Sequence, residues 1–253
     1  MTAIGTASLT FACAFGGAIL GNYIRSRLPP AHLGKESQDI MRLGMGLVAT
    51  MTALLLGLVT AAARSSFDRE DAAIRTSAAN ILTLDRLLAR YGSETAPTRT
   101  LIRDAVAFRV ETTWPHDGSA GSGITKTLAT PAVEEIENQI LRLSPANDTQ
   151  RWFKAESLKL SEEVLKTRWR ALGNQGGSVP NAFLVVVVFW LTVTSVSFGL
   201  YAQLNTSVIA VLFVAAVSVA GSVFLILELD GPFDGVIKIS SGPMYYVLSQ
   251  LGQ

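Results

Sequence analysis

Four long apolar runs limit what this chain can fold into. Residues 3–23, 43–63, 181–201 and 208–229 are each mainly apolar over about the 20 residues that a helix needs to cross a bilayer. Charge lies almost wholly elsewhere. Between Arg64 and Val179 fall sixteen of the 21 Lys and Arg and fifteen of the 20 Asp and Glu, which leaves ten charges for the flanks. The pattern is that of a membrane protein with a polar insert. The first run carries no basic start, since its first charge is Arg25 at the far end, so it reads as an uncleaved span rather than a signal peptide.

The expected fold is an all-α membrane protein. Four transmembrane helices carry a mainly helical extramembrane domain between the second and the third. Residues 1–63 hold the first two spans, 64–179 the insert, 180–229 the last two spans, and 230–253 a turn and a short helix. In the insert, Ala73, Ile74, Ala78, Ile81, Leu84 and Leu88 recur at helical spacing and form one apolar stripe that ends before Gly92. Nothing breaks the chain between the second span and this stripe, so one continuous helix is expected there. Further helices are expected over 96–114, from Thr130 as N-cap with Pro131 behind it, over 148–172, and from Ser241 as cap with Pro243 in the first turn.

Several function classes drop out. Net charge is +1, with acids matching bases in the insert, so nothing argues for nucleic acid as a partner. The one cysteine, Cys13, lies inside the first span and rules out an intramolecular disulfide and a cysteine-built metal site. His32 and His116 are far apart in loops, and no metal, phosphate-loop or nucleophile-elbow motif accompanies them. The chain does not read as an enzyme, and no cofactor is expected.

The membrane runs hold what remains. In the second, Gly46, Thr50, Ala53, Gly57 and Thr60 follow at steps of four, three, four and three, which puts them on one helical face. Small residues at such intervals let helix backbones approach in lipid, where apolarity alone gives helices no reason to associate. Gly17 and Gly21 in the first run, and Ala216 and Ala220 in the fourth, repeat the device, and the third run offers Thr192, Thr194, Ser195 and Ser197. Packing of four helices within one subunit accounts for most of this. A ring of subunits around an axis, lined by the second span, would use the same faces.

At the end of the fourth run stands Glu228, with Asp230 and Asp234 following it, three carboxylates in seven residues. They form a candidate ion or metal site for Ca²⁺. That ion takes about six to eight oxygen ligands, and pairing with Lys238, Arg64 or Arg42 is the plainer reading.

The stretches "GLVATMTALLLGLVTAAARSSFD", "SAANILTLDRLLARYG", "VPNAFLVVVVFWLTVTSVSFGL" and "LELDGPFDGVIKISSGPM" resemble the bacterial membrane family named for its bestrophin-like domain. The resemblance covers nearly the whole chain, and that family is in turn faintly similar to bestrophins. Bestrophins are pentameric ion channels with a cytosolic helical domain between the second and third of four membrane helices. Their neck is lined by three bulky apolar residues at steps of four, the last directly after a glycine. Set on Gly57, that pattern makes Thr50, Leu54 and Leu58 the neck positions. The resemblance thus implies a homo-oligomer, a pentamer, in the bacterial inner membrane, with the lipid bilayer and inorganic ions as partners. Basic residues near the span ends favour a cytoplasmic insert and cytoplasmic termini. Two departures stand out. Leu and Thr replace the phenylalanine common in bestrophin necks, so anion selectivity does not carry over. "ELDGPFD" is also sparser in acids than the calcium-binding run of animal bestrophins. The rival expectation is a non-conducting membrane sensor or scaffold whose insert binds a partner.

Overall fold

A computed structural model describes residues 3–27, 35–114, 130–173, 181–201, 205–233 and 235–253. Every regular element among them is helical: α1 (Ala3–Arg25), α2 (Lys35–Tyr91), α3 (Ala96–Thr113), α4 (Thr130–Arg142), α5 (Asp148–Gly173), α6 (Asn181–Tyr201), α7 (Thr206–Asp230) and α8 (Gly242–Gln250). Two compact units divide the chain, Met1–Ser66 with Gly177–Gly231, and Phe67–Gly176 with Pro232–Gln253.

In the first unit, α1 lies against α6 with almost no side chain between the backbones. A Cβ built on Gly21 would sit 2.0 Å from the Val196 carbonyl oxygen, and one on Gly17 would sit 3.2 Å from that of Thr192. At Gly21 only glycine permits the approach, while a Cβ at Gly17 would need its neighbour to give by a few tenths of an ångström; in an apolar medium close packing of this kind is what joins helices. The hydroxyls of α6 turn inward on their own helix: Thr192, Thr194 and Ser197 donate to the carbonyls of Val188, Trp190 and Val193. Aromatic rings join α1 to α7. Phe213 meets Phe11 and Phe15 edge to face at centroid distances of 5.6 and 5.8 Å. The α7 helix starts at Asn205, whose side-chain oxygen accepts from the Val208 amide at 2.9 Å, and buries Ala216 and Ala220.

Helix α2 runs unbroken from residue 35 to 91, because no glycine or proline falls between Gly57 and Gly92. It ends where expected. Gly92 has φ 148°, a conformation that side chains resist. The hydroxyl of the fully buried Thr95 then donates to the last turn of the helix at the Leu88 carbonyl, 2.6 Å away, and lies 2.8 Å from the carbonyl of Gly92 just beyond it.

The second unit forms a core from the expected stripe, with Ile74, Ala78, Ile81, Leu84 and Leu88 all buried. Against them pack Ile102 and Val106 of α3, Ile140 of α4, Val164 of α5 and Met244 of α8. The stripe leaves out Asp85, which is 0 % exposed and held by both arms of Arg99 at 2.7 and 3.0 Å. Arg99 also donates to the Gln253 carbonyl, and Arg86 donates to those of Gln253 and Gln250, so the final residues are fastened to α2 and α3. Ser241 takes the N-cap position as expected, with Pro243 in the first turn, but makes no side-chain cap bond. Its backbone is already helical (φ −73°, ψ −13°) and its carbonyl accepts from Met244 and Tyr245. The neighbouring Ser240 hydroxyl accepts from the Gly242 amide instead.

Candidate functional site

Successive residues of a helix turn by about 100°. On the apolar part of α2 this puts Thr52, Val59 and Ala63 on one side, and all three are buried, Ala63 completely at 0 % exposure. About half a turn away stand Leu47, Thr50, Leu54, Leu58 and Ala61, and these are exposed. Leu54 is 70 % and Leu58 66 % exposed, more than is usual for leucines beside packed helices. The Thr50 hydroxyl is bonded to the Gly46 carbonyl at 2.8 Å, so its hydrogen points along its own helix.

The small residues divide into two groups that no spacing rule separates. Gly17 and Gly21 are buried and meet α6. Gly46, Ala53 and Gly57 are exposed, and a Cβ added to Gly46 or Gly57 would meet nothing within 4 Å. Within the chain these two glycines have no steric reason to be glycine. Their face adjoins the exposed leucines.

The acidic group is placed in part. Glu228 is 5 % exposed near the end of α7, and Asp230 is partly buried at its last residue. Both take part in polar or electrostatic interactions. Asp234, like His32 and His116, lies outside the described residues. Among the described residues no three His, Cys, Asp or Glu side chains come together as metal ligands would.

What the sequence did not point to lies in the second unit, where arginines sit partly buried. Arg99 is held more firmly protonated by its bonds to Asp85. Burial, then the neighbouring charge of Arg168, brings Arg109 down to about 10, against a pull upward from Glu70. Burial also lowers Arg168. Arginines at surface spacing look alike in a sequence, and only packing shows which lose water.

Four helices are long and apolar enough to cross a membrane: Ala3–Arg25, the apolar part of Gln38–Tyr91, Ala182–Tyr201 and Thr206–Asp230. Their outward side chains include Ile4, Leu43, Val185, Phe189, Val211 and Val214, a surface that water would not tolerate. The molecule is therefore an all-helical integral membrane protein. It belongs to the bestrophin-like domain family, whose profile matches residues 12–244. Solved structures agree on the fold. A crystal structure of a bacterial bestrophin homolog from Klebsiella pneumoniae, solved by zinc phasing, is 16 % identical with a TM-score of 0.59, over 98 % of this chain and 96 % of that one. A tryptophan-to-alanine mutant of the homolog from the same organism is 15 % identical with a TM-score of 0.62, over 99 % of this chain and 97 % of that one. No curated protein matches the chain.

Proposed function

We propose that the chain is the subunit of an oligomeric ion channel, a pentamer in the bacterial inner membrane. In it α2 lines the conduction path, and Thr50, Leu54 and Leu58 form the neck. The observation that carries this reading is the division of α2 into a buried side and an opposite, exposed leucine side. Exposed leucine by itself suits lipid as well as a lumen. The exposed Gly46 and Gly57 beside it favour the lumen, because a lipid-facing helix gains nothing from glycine, whereas a neighbouring subunit's helix can pack against it. Around an axis, rings of Leu54 and Leu58 would make a constriction that gates by excluding water.

The family supports the same reading, since the chain belongs with the bestrophin-like proteins and bestrophins conduct ions. On this reading α1, α2, α6 and α7 cross the bilayer. Residues 64–179 and both ends then face the cytoplasm, and Thr50 adds one polar ring beside the leucines. Glu228 and Asp230 at the end of α7 would serve Ca²⁺ only if Asp234 and further oxygens completed the shell.

The test is ion flux through purified protein in liposomes, under gradients of sodium chloride and of potassium chloride. Leu58→Ala widens the neck and is expected to raise flux over the wild-type chain. Equal flux in the two proteins removes Leu58 from the neck. Well-assembled oligomers that pass no ions in either form would transfer the reading to a non-conducting scaffold.

A further inference from the structure

The outward side of the end of α1 carries a group that neither the packing of the helices nor the proposed neck uses. The buried residues Ala14, Gly17, Ala18 and Gly21 share one side of α1. Ile19 and Tyr23 stand on the other, and Tyr23 is 56 % exposed where the apolar run gives way to Arg25 and Arg27. Just past the helix the chain turns. The Ser26 hydroxyl donates to the Tyr23 carbonyl at 2.7 Å, and the Arg27 amide donates to that of Ile24 at 2.9 Å. The turn lays the Arg27 guanidinium over the Tyr23 ring, 5.3 Å from its centroid, and one Nη donates to the Tyr23 hydroxyl at 3.0 Å. A guanidinium carries five N–H groups and a phenol one O–H. Among the described residues, the remaining side-chain N–H groups of Arg27 and the O–H of Tyr23 meet no acceptor.

We infer that Tyr23 and Arg27 bind the phosphate of an anionic phospholipid at the membrane surface. Depth selects a lipid. A spanning helix whose apolar run ends at Tyr23 sets that ring at the boundary of acyl chains and headgroups, where tyrosine gathers. Arg27 stands about 6 Å further along the axis, within a headgroup layer about 5–8 Å deep. On the acyl side of the ring, the exposed Ile19 and Leu20 offer an apolar wall. Chemistry selects phosphate. N–H and O–H donors lie side by side on a guanidinium that the tyrosine already holds, so little freedom is lost when phosphate oxygens arrive. Charge selects the headgroup. Choline and ethanolamine carry a cation beside the phosphate, which Arg27 repels, whereas a glycerol headgroup carries none. The helix dipole also favours a basic residue at this end, but gives no reason for an exposed tyrosine fixed beneath it. The site requires α1 to span the bilayer and stands whether or not the chain conducts.

The full chain, purified in detergent, should melt at a higher temperature with added dioleoyl phosphatidylglycerol than with the same concentration of dioleoyl phosphatidylcholine, with a response that saturates. Arg27→Gln keeps donors and removes the charge, and should weaken the apparent phosphatidylglycerol affinity by about tenfold. Tyr23→Phe keeps the ring and removes the hydroxyl, and should weaken it by about threefold. A wild-type chain that melts alike in the two lipids overturns the inference, as does an Arg27→Gln chain that keeps the full phosphatidylglycerol response. A rise of equal size with sodium phosphate alone would assign the site to free phosphate and overturn the lipid. Both side chains are exposed, and should Arg27→Gln not fold, the wild type and Tyr23→Phe decide.

Discussion

A Cβ placed on Gly199 would lie 1.8 Å from the carbonyl oxygen of Ala18. No side-chain rotation relieves that overlap, because the obstacle is backbone. Together with Gly21 against Val196, it shows that α1 and α6 touch main chain to main chain at two points one helical turn apart or less. Gly199→Ala must push the helices apart and break this contact. Loss of folded protein on detergent extraction, or a fall of several degrees in melting temperature, is the expected outcome, and Gly16→Ala is the control. Gly16 has nothing within 4 Å of a new Cβ, and its replacement should be silent.

Gly57 gives the opposite expectation. Space around it is open within the chain, so Gly57→Leu should leave the isolated chain folded. If α2 packs against neighbouring subunits through this face, the same change should abolish the oligomer. Sizing by light scattering in detergent reads both at once. A variant that remains fully assembled would mean that Gly57 faces lipid, and the proposed lumen would lose its packing partner.

The Asp85–Arg99 pair should behave as a unit. Asp85 is wholly buried, and Arg99 reaches it with two bonds. Arg99→Met strands a buried carboxylate and should cost about 3–5 kcal/mol, the usual toll for breaking a buried pair from one side. Asp85→Leu together with Arg99→Met should cost much less than the two single changes combined. Thermal melting of the four proteins tests this. Simple additivity would show that the pair is not coupled.

Tyr91 supplies a pH dependence. Its ring is buried, its hydroxyl has no hydrogen-bond partner among the described residues, and its pKa is raised, first by burial and then by the Glu94 carboxylate. A raised pKa means that the folded chain holds the proton more tightly than the unfolded one. Its share of stability is therefore complete below about pH 10 and is lost as pH rises through the folded-state value. Tyr91→Phe removes both the orphan hydroxyl and the titration. It should match or exceed the wild type by about 1 kcal/mol at neutral pH and lose less stability above pH 10. A steeper alkaline loss in the variant would show that other groups govern that range.

Much of the fold was legible in the residues because local physics decides it. Runs of about 20 apolar residues must be helices in a bilayer, and α6 occupies the expected 181–201. The stripe from Ile74 to Leu88 is buried because a period of 3.6 leaves one apolar face. Continuity of α2 followed from the lack of any breaker before Gly92. Family membership was also within reach, since it rests on short motifs in fixed order.

Other features needed the tertiary structure, because they depend on what lies across from each residue. Gly17 and Gly57 are the same residue in the same kind of helix, yet a Cβ added to one would meet a carbonyl 3.2 Å away and a Cβ added to the other would meet open space. Spacing rules assign both to packing and cannot say with what. Leu54 and Val59 are both apolar and five residues apart, and only the neighbours of α2 turn Val59 inward and leave Leu54 outward. Asp85 breaks no periodicity, and its burial depends on Arg99 arriving from the next helix. Arg109 and Arg168, 59 positions apart in the chain, share a cavity because α3 and α5 pack in one bundle. Sequence by itself determined which segments are helical and apolar, since each backbone must satisfy its own hydrogen bonds wherever water is absent. Which faces meet, and which charges lose their water, was decided only by the packing of one helix on another.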